Sequence, residues 1–247
     1  MNTQKQLIFG FHSLKEVIKF NYSLIVKIYI SNARNDKRVS EITNLCQKNK
    51  IICELVDPNI LNNISRYNNH QGFVAEINSP VFPSEKEIDS KLKDLITSRV
   101  LILDSIQDPR NLGACLRSAL AFDFDAVIIN RDGSSPINEY VFKTSVGAIL
   151  NLNIFYVTNL TRTIAALKKN GFWVLGIDGK GEGSIFSEKF SSKTAVVLGS
   201  EGSGIRKLVK ENCDHLIKIP ISNKVESLNI SVAAGVIMYE LKKQHIN

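Results

Sequence analysis

Short apolar runs alternate with amphipathic stretches along almost the whole chain. Leu14, Val17 and Ile18 predict a helix after Gly10-Phe11-His12. Val26 to Ile30 alternates like a strand, and Val39, Ile42 and Leu45 predict a second helix. Ile51 to Val56 is a short apolar run. Asp57-Pro58 opens a third helix, a cap residue followed by proline at the first helical position. His70-Gln71-Gly72 leads into a strand from Phe73 to Ile77. Strands and helices in turn predict a small α/β unit over residues 1–79.

The pattern then lapses. Residues 80–98 carry Pro80 and Pro83 and the charged segment SEKEIDSKLKDLITS, which has little apolar face. This stretch reads as a linker with at most a short helix. From Arg99 the alternation returns with stronger strands: Val100 to Leu103, Ala126 to Ile129, one within Ile149 to Val157, Phe172 to Ile177, Ala195 to Leu198 and Leu216 to Ile219. Their near-continuous apolar character suits a parallel sheet covered on both faces. Leu112, Leu116, Ala119 and Leu120 predict a helix between the first two, and Ile164 and Leu167 face inward on another. Val232, Val236, Ile237 and Leu241 give a final helix, which Ser227 or Asn229 could cap. Residues 99–247 are thus a second α/β domain.

Composition narrows the functional classes. The chain has 247 residues, 44% hydrophobic and 22% charged, with net charge +7. The positive balance favours a polyanionic partner. Cys46, Cys53, Cys115 and Cys213 form no CxxC pair, so reduced thiols are expected and no zinc site. His12, His70, His215 and His245 lack metal-ligand spacing, and no metal is expected. No run approaches the ~18 apolar residues of a membrane helix. The N-terminal stretch lacks the features of a signal peptide, so a cytoplasmic protein is expected.

Three polar clusters sit at the C-terminal ends of predicted strands, where open α/β sheets bind ligands. The first is Asp104 to Arg117, DSIQDPRNLGACLR. Asn111 either caps the helix there or serves a ligand. Arg117, six residues on, either clamps a phosphate or pairs with a carboxylate. The second is Gly199 to Gly204, GSEGSG. It fits neither a Walker loop nor a dinucleotide fingerprint, because no Gly-Lys-Ser/Thr follows and position 207 is lysine. What remains is a glycine turn around one carboxylate, Glu201. Gly179 to Gly183 is a second glycine-rich stretch, read as a mobile loop. The third cluster is the polar loop Ser222 to Glu226 before Ser227-Leu228-Asn229.

With these residues in view the chain resembles the SpoU class of RNA ribose 2′-O-methyltransferases. Three stretches match in order and spacing: DPRNLGACLRSA (Asp108 to Ala119), VVLGSEGSGI (Val196 to Ile205) and IPISNKVESLNISVAAGVIMYE (Ile219 to Glu240). The front of the chain, with Gly10-Phe11-His12 and His70-Gln71-Gly72, resembles the accessory domain of bacterial members that methylate a guanosine of large-subunit ribosomal RNA. The resemblance implies a SPOUT-type parallel sheet with a deep C-terminal trefoil knot, preceded by a ribosomal-protein-L30e-like α/β RNA-binding domain. It implies S-adenosyl-L-methionine bound by backbone groups around Gly199, Ile219 and Leu228, a homodimer, and ribosomal RNA as partner. The class's functional positions carry over as Asn111, Arg117, Glu201, Ser227 and Asn229. In that reading Asn111 and Asn229 orient Arg117 and the ribose, and Glu201 steers the arginine or the cofactor amino group. His12 and His70 are the expected RNA contacts. One departure is Glu226, where related sequences often carry a small polar residue. A transfer-RNA methyltransferase of the same class and a non-catalytic RNA-binding protein are the alternatives.

Overall fold

The computed structural model describes residues 5–65 and 70–244. His245 lies outside them. The chain divides into two compact units, Met1–Val81 with Ile137–Asn151, and Phe82–Pro136 with Leu152–Asn247. This departs from the boundaries expected from sequence, because a segment from the middle of the second domain packs with the first.

The first unit is a four-stranded sheet in the order β1-β4-β2-β3. Its strands are β1 (Lys5–Phe9), β2 (Ile25–Ser31), β3 (Cys53–Val56) and β4 (Phe73–Asn78). Helices α1 (Phe11–Asn21), α2 (Lys37–Asn49) and α3 (Pro58–Ser65) fall where the periodicity placed them. Asp36 caps α2, accepting from the Arg38 and Val39 backbone. β1 was not foreseen: its apolar run is short, and only antiparallel pairing with β4 makes it a strand. Helix α6 (Glu139–Ser145) completes this unit. Gln6 Nε2 donates to the Ile137 carbonyl at 3.2 Å, and Tyr140 meets Phe9 edge-on at 6.5 Å. After α6, Gly147 lies so close to Glu16 of α1 that an added Cβ would sit 2.9 Å from the Glu16 Cβ.

The second unit is built on a seven-stranded sheet in the order β7-β6-β5-β10-β8-β11-β9. The strands are β5 (Ser98–Asp104), β6 (Ala126–Asn130), β7 (Asn153–Val157), β8 (Trp173–Ile177), β9 (Gly183–Ser184), β10 (Lys193–Gly199) and β11 (His215–Lys218). Every pairing is parallel. Their C-terminal ends therefore share one edge. One sequence expectation is corrected here, and the short helix allowed for the linker is found to join the core. The Gly179 to Gly183 loop runs into β9, which pairs with β11 at the sheet edge. The charged linker segment folds as α4 (Ile88–Leu92), whose Ile88 and Leu92 join the core with Val100, Ile128 and Phe155. Two apolar residues one turn apart are too narrow a stripe to register as a face in sequence. Helices α5 (Pro109–Ala121), α7 (Leu160–Lys169), α8 (Lys207–Glu211) and α9 (Ile230–Gln244) complete this unit, with α9 packed along α5.

Candidate active site

The C-terminal edge of the second sheet brings the three polar clusters together. β5 and β10 are neighbours, and their last residues, Asp104 and Gly199, stand opposite each other. After β5 the chain turns into α5. Asp108 caps that helix, accepting from the Arg110 backbone at 2.8 Å, and Pro109 takes the first position. The capping expected of Asn111 is thus done by Asp108, which leaves the Asn111 amide for other work. After β10, residues Ser200 and Gly204 close a tight turn by mutual backbone bonds of 3.2 and 2.9 Å. A Cβ at Gly199 would stand 2.0–2.1 Å from Gly204 backbone atoms, so only glycine lets the turn fold back. Glu201 rides on this turn.

Three side chains from the three motifs meet at one oxygen. Glu201 Oε1 accepts from Asn111 Nδ2 at 3.1 Å and from Asn229 Nδ2 at 2.6 Å. The backbone N–H of Ile230, at the start of α9, lies 3.4 Å from the same oxygen. Asn229 Nδ2 also donates to Asn111 Oδ1 at 3.1 Å. Asn229 Oδ1 caps α9, accepting from the Ser231 backbone at 2.9 Å and its hydroxyl at 2.6 Å. The helix N-terminus favours the Glu201 carboxylate, and the three donors hold it in one orientation. Its Oε2 carries none of these bonds.

An ion pair between a buried carboxylate and an exposed guanidinium fixes the turn. Asp104 is fully buried, and its carboxylate accepts from the Arg206 backbone at 2.9 Å and the Arg206 Nε at 2.7 Å. Arg206 directly follows the Glu201 turn. Neither residue was singled out from sequence; the visible signal was a lone carboxylate ending an apolar strand. Cys115, on α5, is no nucleophile: burial, then the charge of Glu201, pushes its thiol up to about 12.

The other expected positions are placed as follows. Arg117 is exposed on α5, and it has no ion-pair or hydrogen-bond partner among the described residues. No bond links Asn111, Asn229 or Glu201 to it among the described residues. Those three bind one another, and Arg117 lies further along α5. Ser227 is exposed and makes no hydrogen bond among the described residues. Gly199, Ile219 and Leu228 are half-buried, at the end of β10, after β11 and before α9. The surroundings fit a cofactor approaching the main chain. At Gly179, beyond β8, and at Gly202, beyond β10, an added Cβ would meet nothing within 4 Å. The Gly179 backbone is under neither crowding nor positive φ, so its bareness suits close ligand approach.

In the first unit, His12 is exposed at the start of α1, with its ring 5.1 Å from that of Phe11. His70 is buried. Its Nε2 meets Asn62 Oδ1 at 2.7 Å and its Nδ1 accepts from the Gly72 backbone at 3.0 Å. Both ring nitrogens are committed, so His70 braces the turn rather than offering a contact to RNA. Burial also lowers its pKa, which keeps the ring neutral. Two arginines missed from sequence stand nearby: Arg34 stacks on Phe73 at 5.1 Å and Arg38 on Phe11 at 5.3 Å.

Comparison with known proteins shows the family. The model of the SpoU rRNA Methylase family matches residues 98–239, and that of the RNA 2′-O ribose methyltransferase substrate-binding domain matches residues 7–83. The chain belongs to the SpoU rRNA methylase family. It is 36% identical over 241 residues to the 23S rRNA (guanosine-2′-O-)-methyltransferase RlmB of Vibrio parahaemolyticus, covering 98% of both chains. It is also 36% identical to the RlmB of Xanthomonas campestris, covering 100% of this chain and 99% of that one. Among solved structures, the SpoU methyltransferase AviRb of Streptomyces viridochromogenes, in complex with AdoMet, superposes with a TM-score of 0.80 at 18% identity, over 98% of this chain and 91% of that one.

Proposed function

We propose that this chain is an S-adenosylmethionine-dependent enzyme that methylates a guanosine 2′-hydroxyl in 23S ribosomal RNA. The observation that carries the reading is the convergence of Asn111, Glu201 and Asn229, from three separate motifs, on one carboxylate oxygen, with Arg117 further along α5 and without a partner among the described residues. Near full-length identity to RlmB relatives supports the substrate class.

When bound near Gly199, Ile219 and Leu228, S-adenosylmethionine supplies an electrophilic methyl group. The chain's own task is to hold the ribose 2′-oxygen in line with it and stabilise charge as the hydroxyl proton leaves. Arg117 serves as a clamp on the target phosphate that also steadies negative charge developing on the 2′-oxygen. As a base it would have to lose a proton at least ~5 units above neutrality. Asn111 retains one Nδ2 hydrogen for the ribose, while Asn229 spends both of its own on Glu201 and Asn111. Ser227 borders the cofactor loop, and His12 with Arg34 and Arg38 meets RNA on the first unit. The C-terminal segment forms a trefoil knot; the close approach of Gly181 to the Ile217 backbone supports a tight crossing there. The working form is a cytoplasmic homodimer. Its support is the exposed stripe Val232, Val236 and Tyr239 on α9.

The test is methyl transfer from labelled S-adenosylmethionine to unmodified 23S rRNA, with mapping of the modified ribose. A single 2′-O-methylguanosine is expected. Arg117→Ala should lower turnover at least about 100-fold while cofactor still binds. Methylation of transfer RNA alone would overturn the substrate, and absence of both transfer and cofactor binding would overturn the reaction.

A further inference from the structure

The second unit has an open cavity of about 1040 Å³ that the chemistry above does not use. Its walls include Phe82, Lys86, Arg131, Tyr156 and Arg162. The Phe82 and Tyr156 rings meet at 6.1 Å between centroids and 61°. Both are half-buried and keep part of their surface open. Lys86 and Arg131 are exposed, with no side-chain partner among the described residues. Arg162 differs, because it pairs with Glu85 at 2.8 Å, and Glu85 also takes the Thr158 backbone N–H at 3.3 Å. One carboxylate offsets one guanidinium, and two cations are left over.

We propose that this cavity is a subsite for a single-stranded nucleotide of the substrate RNA, flanking the reacting ribose. A base lies against Phe82 and Tyr156, and its phosphate lies on Arg131 and Lys86. The proposal rests on the reading of the chain as an RNA methyltransferase. Aromatic faces beside unpaired cations are what single-stranded RNA needs, since every base has a π-face and every linkage a charge. The volume is at the upper end for a small-ligand pocket, and an open site of that size admits one unit of a longer chain. Position favours RNA over an acidic peptide. Arg131 directly follows β6, and Tyr156 is one residue from the end of β7. Both strands end on the same edge as β5 and β10, which lead into α5 with Asn111 and into the turn with Glu201. At about 4.8 Å per strand, β7 is about 10 Å from β5 and about 14 Å from β10. An RNA strand whose ribose sits at the triad passes the cavity within a nucleotide or two.

The experiment uses the full chain and a short fluorescent single-stranded RNA, with binding followed by anisotropy across a salt series. Phe82→Leu keeps the apolar volume but loses the flat ring, and should weaken binding about 5- to 100-fold. Phe82→Trp should hold the parental affinity, a rescue that a packing role would not give. The double variant Lys86→Gln, Arg131→Gln should lower the log–log salt slope by about 0.7, the value for one phosphate no longer neutralised. In methyl transfer, both lesions should raise the KM for rRNA more than they lower kcat, with S-adenosylmethionine affinity at the parental value. Parental RNA affinity and salt slope in all variants would overturn the subsite, and so would loss of binding to an acidic peptide but not to RNA. If the parent neither transfers a methyl group nor binds S-adenosylmethionine, yet Phe82→Leu still loses the RNA, the enzymatic reading falls and the RNA site stands.

Discussion

At the scale of single residues, Asn229 does two jobs that substitution can separate. Its Oδ1 caps α9 and its Nδ2 holds Glu201 and Asn111. Asn229→Ala removes both, and the missing cap alone should cost about 1 kcal/mol, read as a lower urea midpoint. Asn229→Asp keeps the cap but sets a second carboxylate where the amide nitrogen lay, 2.6 Å from Glu201 Oε1. Two carboxylates so close share one proton. This variant should hold its stability better than Asn229→Ala, while its pH–rate profile gains an inflection that the parent lacks. Asp104→Ala leaves Arg206 without its partner and frees the Glu201 turn. It should cost about 1.5–3 kcal/mol and weaken cofactor binding, measured by denaturation and by titration with S-adenosylmethionine. The site residues were legible because the three motifs name them, but their partnership was not. No pattern along the chain tells Glu201 to face two asparagines rather than Arg117. That choice follows from the Ser200–Gly204 turn and from α9 starting beside it.

At the scale of elements, most helices and strands were readable because their apolar positions repeat at 3.6 or 2. Those that were missed depend on partners distant in sequence. β1 exists through β4, and β9 through β11. α4 buries Ile88 and Leu92 against strands that begin residues later, so a segment dense in charge still belongs to the core. Leu92→Ala should therefore cost about 2–5 kcal/mol, seen as a lowered unfolding midpoint, where a solvated linker would show no change. The turn after α6 makes a second case. Gly147 has φ +77° and no room for a Cβ beside Glu16. Gly147→Ala should cost more than about 1 kcal/mol, from strain in the left-handed region with crowding added to it. A matching loss in Gly171→Ala, where φ is also positive but the space is open, would trace the cost to strain alone.

At the scale of the whole molecule, stability should fall with acid in two stages. His70 has a pKa lowered by burial from the ordinary 6.5. Between that lowered value and 6.5 the unfolded chain binds the proton and the folded chain does not. Stability therefore falls as pH drops through 6.5, and levels off below the folded value. Asp36, Asp108 and Asp123 have values lowered by hydrogen bonds from Arg34, Arg110 and Lys242. Their contribution is complete above the ordinary 3.8 and is lost as pH falls through the lowered values, a small effect at such exposed groups. Urea midpoints measured from about pH 7.5 downward should show the first decline near the imidazole range, and His70→Gln should remove it. The packing of residues 137–151 into the first unit has a consequence for synthesis. When residue 81 leaves the ribosome, β1 and α1 still lack residues 137–151, α6 among them, and that segment is complete only with residue 151. At about 5–20 residues per second, that is a wait of roughly 4–14 s. During it most of the β5 and β6 region emerges, so the two units mature interleaved, and a nascent chain paused before α6 should be more open to protease in its first eighty or so residues than one released past it.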